Sequence, residues 1–185
     1  MVWFVSHYKV PSRRDEFVEK MSKTANVDIH GKCSEYFPIE KGSARERTKL
    51  SKYKFYIAFE NSKCPEYVTE KLYKVLNSNI GDNPPIPIVM GPNKSWYVEH
   101  LPMNSFIHVD DFDDPEELGS YLNYLNSQDN LLLEKLNWRR HHKLKCQMPI
   151  RCKLCDMLLT RGFEQQNNLL ISDFKQFWKR ANCQN

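Results

Sequence analysis

The side chains best suited to hold an anionic ligand lie on one stretch of chain, Phe59-Glu60-Asn61-Ser62-Lys63-Cys64-Pro65-Glu66-Tyr67-Val68-Thr69-Glu70-Lys71. It runs from the end of an aromatic strand into a helix. The start of a helix presents unpaired backbone N–H groups and the positive end of its dipole, and both favour an anion. Val68, Leu72, Val75 and Leu76 recur at i, i+4, i+7 and i+8, which sets the apolar face. Glu70 and Lys71 fall off that face, so both can point toward a ligand. A carboxylate accepts hydrogen bonds from ribose hydroxyls, and a lysine ammonium pairs with a pyrophosphate. The same spacing also describes a helix with a solvated Glu–Lys edge. Lys74, further along, reads as an ordinary surface lysine.

The elements that must position these residues alternate strand and helix. Trp3 to Val5 reads as a short buried strand and Arg13 to Thr24 as a helix with Phe17, Val18 and Met21 on its apolar stripe. Val27 to Gly31 alternates as a strand, and Lys32 to Lys52 is a charged connection with no readable period. Tyr53 to Phe59 is the strongest strand candidate, and a helix follows from Tyr67 to Asn77. Ile86 to Gly91 and Ser105 to Val109 complete five strands. Asp114-Pro115-Glu116-Glu117 combines an acidic cap, a first-position proline and first-turn carboxylates, so a helix starts there. A further helix spans Asn130 to His141. Five strands separated by helices imply parallel βαβ units, hence an α/β doubly wound sheet that binds ligands beyond its carboxyl ends.

Composition excludes several classes. With 41% hydrophobic residues, ten phenylalanines, nine tyrosines and four tryptophans, the chain can build a core. A net charge of +4 suits a phosphate-bearing ligand but is too small to argue for nucleic acid. No stretch approaches the ~20 apolar residues of a membrane span. The six cysteines at 33, 64, 146, 152, 155 and 183 favour an oxidising compartment and disulfides. Zinc on Cys146, Cys152 and Cys155 with His141 and His142 is the rival, although only one Cys-x-x-Cys is present.

Tyr53-Lys54-Phe55-Tyr56-Ile57-Ala58-Phe59-Glu60-Asn61-Ser62, followed by Tyr67-Val68-Thr69-Glu70-Lys71-Leu72, resembles the signature of the α1,3/4-fucosyltransferases. Pro87 to Pro92, Ser105 to Val109 and Asn137-Trp138-Arg139 resemble further blocks of that family, in order. The resemblance implies a Rossmann-like parallel sheet, the carboxy-terminal lobe of a GT-B glycosyltransferase, over residues 1–145, with a cysteine-containing tail over 146–185. It implies transfer of fucose from GDP-fucose to an N-glycan or glycoprotein acceptor with inversion, in the Golgi lumen, by a type II membrane protein. Donor contacts carried over by motif are Arg14, Asn61, Tyr67, Glu70 and Lys71. Arg14 is placed by its spacing from Phe17, and the adjacent Arg13 stays open.

Family members carry an amino-terminal lobe that binds the acceptor and supplies the general base. That lobe and the anchor are expected to be absent here, leaving a donor-binding half with little activity alone, and the catalytic base is unknown. Cys33 and Cys64 follow neighbouring strand ends that could bring them within bridging range. Members acting on the N-glycan core often show a cysteine in both places, so this pair is the expected disulfide and core α1,3 activity is the subclass it favours. Asp110-Asp111-Phe112-Asp113 invites a manganese reading, but it leads into a capped helix whose dipole stabilises carboxylates, so no cofactor and no fixed metal are expected. His7 and His30 follow strand ends and read as surface or core histidines. Asn93-Lys94-Ser95 is a glycosylation sequon. A non-catalytic GDP-sugar-binding module and a zinc-bearing interaction domain are the alternatives from other classes.

Overall fold

A computed structural model describes residues 1–31, 43–76 and 84–142, together with Cys183. Five parallel strands form one sheet: β1 (Val2–Phe4), β2 (Asp28–His30), β3 (Phe55–Phe59), β4 (Ile86–Met90) and β5 (Ile107–His108). Their order is β2-β1-β3-β4-β5, so the chain winds outward from β1 in one direction and then from β3 in the other. The order reverses between β1 and β3, which register through Val2 and Tyr56. In such sheets the crevice at that reversal is the place where a ligand can enter between diverging loops.

Side-chain alternation builds the two faces. Trp3 and Val5, Phe55, Ile57 and Phe59, and Ile86, Ile88 and Met90 point to one side. There they pack against α1 (Arg14–Met21), α5 (Pro115–Asn126) and α6 (Asp129–Leu136) through Val18, Met21, Leu118, Leu122, Leu125 and Leu132. Val2, Tyr56, Ala58 and Val89 point to the other, against α2 (Ala44–Leu50), α3 (Glu70–Leu76) and α4 (Lys94–His100). Strands buried on both faces have no polar side to display, which is why they read as continuous apolar runs.

The signals at α5 act as the sequence implies: the N-cap Asp114 carboxylate accepts from the Glu117 N–H, the Glu117 carboxylate accepts from the Asp113 N–H just before the cap, and Pro115 starts the helix. Gly119 lets α5 lie on α1, since a Cβ there would stand 2.2 Å from the Thr24 hydroxyl. Two helices depart from the sequence reading. In α2 the inward residues are Glu46 and Leu50, so a buried carboxylate stands where an apolar residue would mark the period. Ser43 caps that helix through the Glu46 N–H. In α4 Tyr97 alone is buried. Neither helix presents a stripe that spacing can reveal.

Candidate functional site

The loops at the carboxyl ends of β1 and β3 are bonded to each other. Ser12, between β1 and α1, donates its N–H to the Asn61 carbonyl at 3.0 Å and its hydroxyl to the Glu60 carbonyl at 2.7 Å. Arg14, the first residue of α1, turns its guanidinium back over the strand ends. It donates to the Phe59 carbonyl at 2.7 Å and to the His7 carbonyl at 3.0 Å, with Trp3 below it. Burial lowers its pKa, against the opposing pull of the Glu60 carboxylate. Arg14 is 3% exposed and its Nε has no partner in the protein. Arg13, by contrast, is exposed and paired with Glu16. Of the two, Arg14 has its guanidinium at the strand ends of the switch point.

Glu60 is the centre of the site. Its N–H bonds the Met90 carbonyl of β4, and its carboxylate is buried. That carboxylate accepts from the Thr69 N–H at 2.8 Å, from the Thr69 hydroxyl, and from the Lys71 ammonium at 2.7 Å. Lys71 also donates to the Thr69 hydroxyl at 2.8 Å. Lys71 therefore does not stand open toward a ligand as its position off the apolar face implied. An internal anion, Glu60, already gathers its charge and the first free N–H before α3. Lys74 departs further from its reading as a surface lysine. It pairs with the buried Glu46 at 2.6 Å and lies 5.9 Å from the centroid of the Phe4 ring.

Asn61, Tyr67 and Glu70 complete the expected set. The Asn61 Oδ1 is buried without a partner. Tyr67 is half-buried, and burial first, then the Glu60 and Glu70 carboxylates, raise its pKa while Arg14 opposes them. Glu70 lies exposed at the first position of α3. Arg14, Asn61, Tyr67 and Lys71 thus gather around Glu60, with Glu70 at the outer edge. Among the described residues, three of the four non-glycine residues with left-handed backbone, Lys9, Arg13 and Glu66, sit in the two loops that frame this cluster. Such strain persists where surrounding structure over-determines it, and functional sites collect it. Gly31, ending β2 with φ 120°, lies so close to the Val5 backbone that a Cβ would meet the Val5 carbonyl at 2.1 Å. A cavity of ≈ 350 Å³ opens beside the cluster, lined by Ser12, Arg13, Glu16, Phe17, Lys20 and Lys63 among others. None of Arg14, Asn61, Tyr67, Glu70 and Lys71 lines it, and neither does Glu60.

Sequence spacing missed Glu60, Thr69 and Arg139. Glu60 and Thr69 were inside the quoted motif but had no assigned role, because a carboxylate at a strand end looks solvated until its burial is seen. Arg139 caps α3 from behind, donating to the Val75 carbonyl at 2.6 Å and the Leu76 carbonyl at 3.1 Å while stacking on Trp138. Burial lowers its pKa to about 10, so it stays charged at neutral pH.

The cysteine pairing is corrected. Cys64 is bonded to Cys183, 119 residues away, and not to Cys33. Cys33 itself lies outside the described residues, as do Cys146, Cys152 and Cys155 of the zinc alternative. Proximity of strand ends gave no information about a partner beyond the sheet. Of the acidic run, Asp111 pairs with Lys94, and the Asp110 N–H donates to the buried His108. His7 is exposed and His30 is buried against Phe4. Among the described residues no helix is long and apolar enough to cross a membrane.

Comparison with known proteins places this geometry. The profile of glycosyltransferase family 10 (fucosyltransferase), C-terminal part, matches residues 1–176. The chain is 36% identical to alpha-(1,3)-fucosyltransferase fut-1 of Caenorhabditis elegans, over 97% of this chain and 42% of that protein. It is 39% identical to the human 4-galactosyl-N-acetylglucosaminide 3-alpha-L-fucosyltransferase FUT5, over 75% of this chain and 35% of that protein. A crystal structure of an alpha1,3-fucosyltransferase with GDP-fucose superposes with a TM-score of 0.60 at 25% identity, covering 74% of this chain and 38% of the other. The chain spans less than half the length of these relatives. With its switch-point cluster and its α/β fold in place, the chain belongs to glycosyltransferase family 10, the fucosyltransferases, and corresponds to their carboxy-terminal part.

Proposed function

We propose that residues 1–145 bind GDP-fucose at the carboxyl ends of β1, β3 and β4, as the donor-binding lobe of an inverting α1,3-fucosyltransferase. The observation that carries the reading is the pair of cations at the switch point. The Arg14 guanidinium and the Lys71 ammonium are both held at the ends of central strands, on either side of Glu60. A diphosphate brings charge that such a pair can neutralise in a setting less screened than water. Lys71, which is partly exposed, keeps one N–H for that purpose, and the buried Arg14 contributes its charge. Asn61 and Tyr67 supply further polar atoms, and Glu70 at the edge suits a sugar or ribose hydroxyl.

In the transfer, the acceptor hydroxyl attacks the anomeric carbon of fucose, its proton passes to a base, and the bond to the β-phosphate breaks with inversion. Arg14 and Lys71 act on the leaving diphosphate, where negative charge grows as that bond breaks. The five donor residues bind and orient, and none takes the acceptor proton. The acceptor is an N-glycan or glycoprotein, met in the Golgi lumen. The Cys64–Cys183 bond supports an oxidising compartment. Titration of the 185-residue chain with GDP, GMP and UDP tests the reading. GDP should bind, with GMP and UDP weaker; no preference for the guanosine diphosphate would overturn it.

A further inference from the structure

The structure leaves the Lys71 ammonium with little freedom. An ammonium has three N–H donors. In Lys71 one goes to Glu60 Oε2 at 2.7 Å and one to the Thr69 hydroxyl at 2.8 Å, leaving a single donor. The Thr69 hydroxyl in turn donates to Glu60, so carboxylate, hydroxyl and ammonium close a three-membered ring. Glu60 is itself fixed from both sides. Its N–H is bonded to Met90 of β4 and its carbonyl to Ser12 of the β1–α1 loop. Its carboxylate is 1% exposed.

We infer that Glu60, with Thr69, is a positioning residue that orders Lys71 and aims its remaining N–H at the diphosphate. The inference rests on the donor-site reading above. Two effects of Glu60 compete. Its negative charge stands close to where a diphosphate would lie and repels it. Its hydrogen bonds hold a four-carbon side chain in one rotamer before the ligand arrives, so binding need not supply that ordering. Ordering one such side chain changes affinity by roughly 3- to 10-fold. Glu60 is anchored to β4 and to the β1–α1 loop and also holds the loop leading to α3. We assign ordering as the larger effect, because a repelling carboxylate could be removed without disturbing Lys71 only if something else fixed the ammonium.

Calorimetric titration of GDP into the 185-residue chain and its variants reads this out. Glu60→Gln keeps the size and an acceptor for the Thr69 N–H but removes the charge that holds Lys71. GDP affinity should fall roughly 3- to 10-fold in the wild-type background and hardly change when Lys71→Ala is already present. Thr69→Val, which deletes the hydroxyl at constant shape, should weaken GDP in the same direction, and Thr69→Ser should restore it. This pair gives the answer even if Glu60→Gln fails to fold. Unchanged or tighter GDP binding by Glu60→Gln, or the same loss without Lys71, overturns the assignment while Lys71→Ala still weakens GDP. Lys71→Ala without effect on GDP overturns the donor-site reading itself, and the positioning role with it.

Discussion

The Lys71 ammonium lies 2.7 Å from the buried carboxylate of Glu60, at the point where the sheet order reverses between β1 and β3. The pair joins the end of β3 to the start of α3 and holds a lysine that the family resemblance carries over as a donor contact. Two lysines on α3 therefore do different work, although spacing gives them similar surroundings. Lys71 is bonded to Glu60 at the end of β3, and Lys74 closes the helix onto α2 through Glu46.

Lys74→Ala is expected to destabilise the fold by roughly 1–3 kcal/mol, the range for a hydrogen bond to a charged group, with little direct effect on GDP affinity. Chemical denaturation and titration on one sample separate the two. A loss below about 0.5 kcal/mol, the usual range for surface substitutions, would show that the Lys74–Glu46 contact is not held in solution.

Arg139 fixes the other end of the same helix. Arg139→Ala removes two bonds to the last carbonyls of α3 and is expected to lower stability by about 1–3 kcal/mol. Amide exchange should rise across Glu70–Leu76, the helix that carries Lys71. Unchanged protection there would contradict the capping role.

Peptide mapping without reduction should recover Cys64 joined to Cys183. Cys183→Ser should cost about 2–5 kcal/mol, as loss of a native disulfide closing a long loop does. A Cys33–Cys64 peptide would contradict the pairing.

Stability is expected to fall in mild acid. His108 is buried, with the Asp110 N–H on Nδ1 and the Pro92 carbonyl 3.3 Å from Nε2, and burial lowers its pKa from 6.5. Burial also lowers that of His30. The unfolded chain therefore takes up protons first as pH drops. The stability these groups contribute is fully present above about pH 6.5 and is lost as pH falls toward their lowered folded values, at up to about 1.4 kcal/mol per pH unit for each. The difference in Tm between pH 7.5 and pH 5.5 should narrow in His108→Gln. An unchanged difference would remove His108 from the account.

The fold was legible where burial leaves a continuous apolar run or a helical stripe. Phe55 to Phe59 and Ile86 to Met90 are buried on both faces, and α5 carries its cap, its proline and its stripe in the sequence. Legibility failed where polar residues face inward. Glu46 hid α2, and Lys74, its partner across the layer, looked solvated for the same reason. In the site, motif resemblance picked out Arg14, Asn61, Tyr67, Glu70 and Lys71 as a set. The internal bonds of Arg14 to Phe59 and of Lys71 to Glu60 join residues 45 and 11 positions apart on different elements. A helical or strand period carries no trace of such contacts.

The most direct measurement is calorimetric titration of GDP into the wild-type chain and into Lys71→Ala. The account expects saturable binding to the wild type and a loss of about 1.5–3 kcal/mol in the variant, the range for a hydrogen bond to a charged group, at unchanged circular dichroism. Equal affinities, or no GDP binding by the wild-type chain, would contradict it.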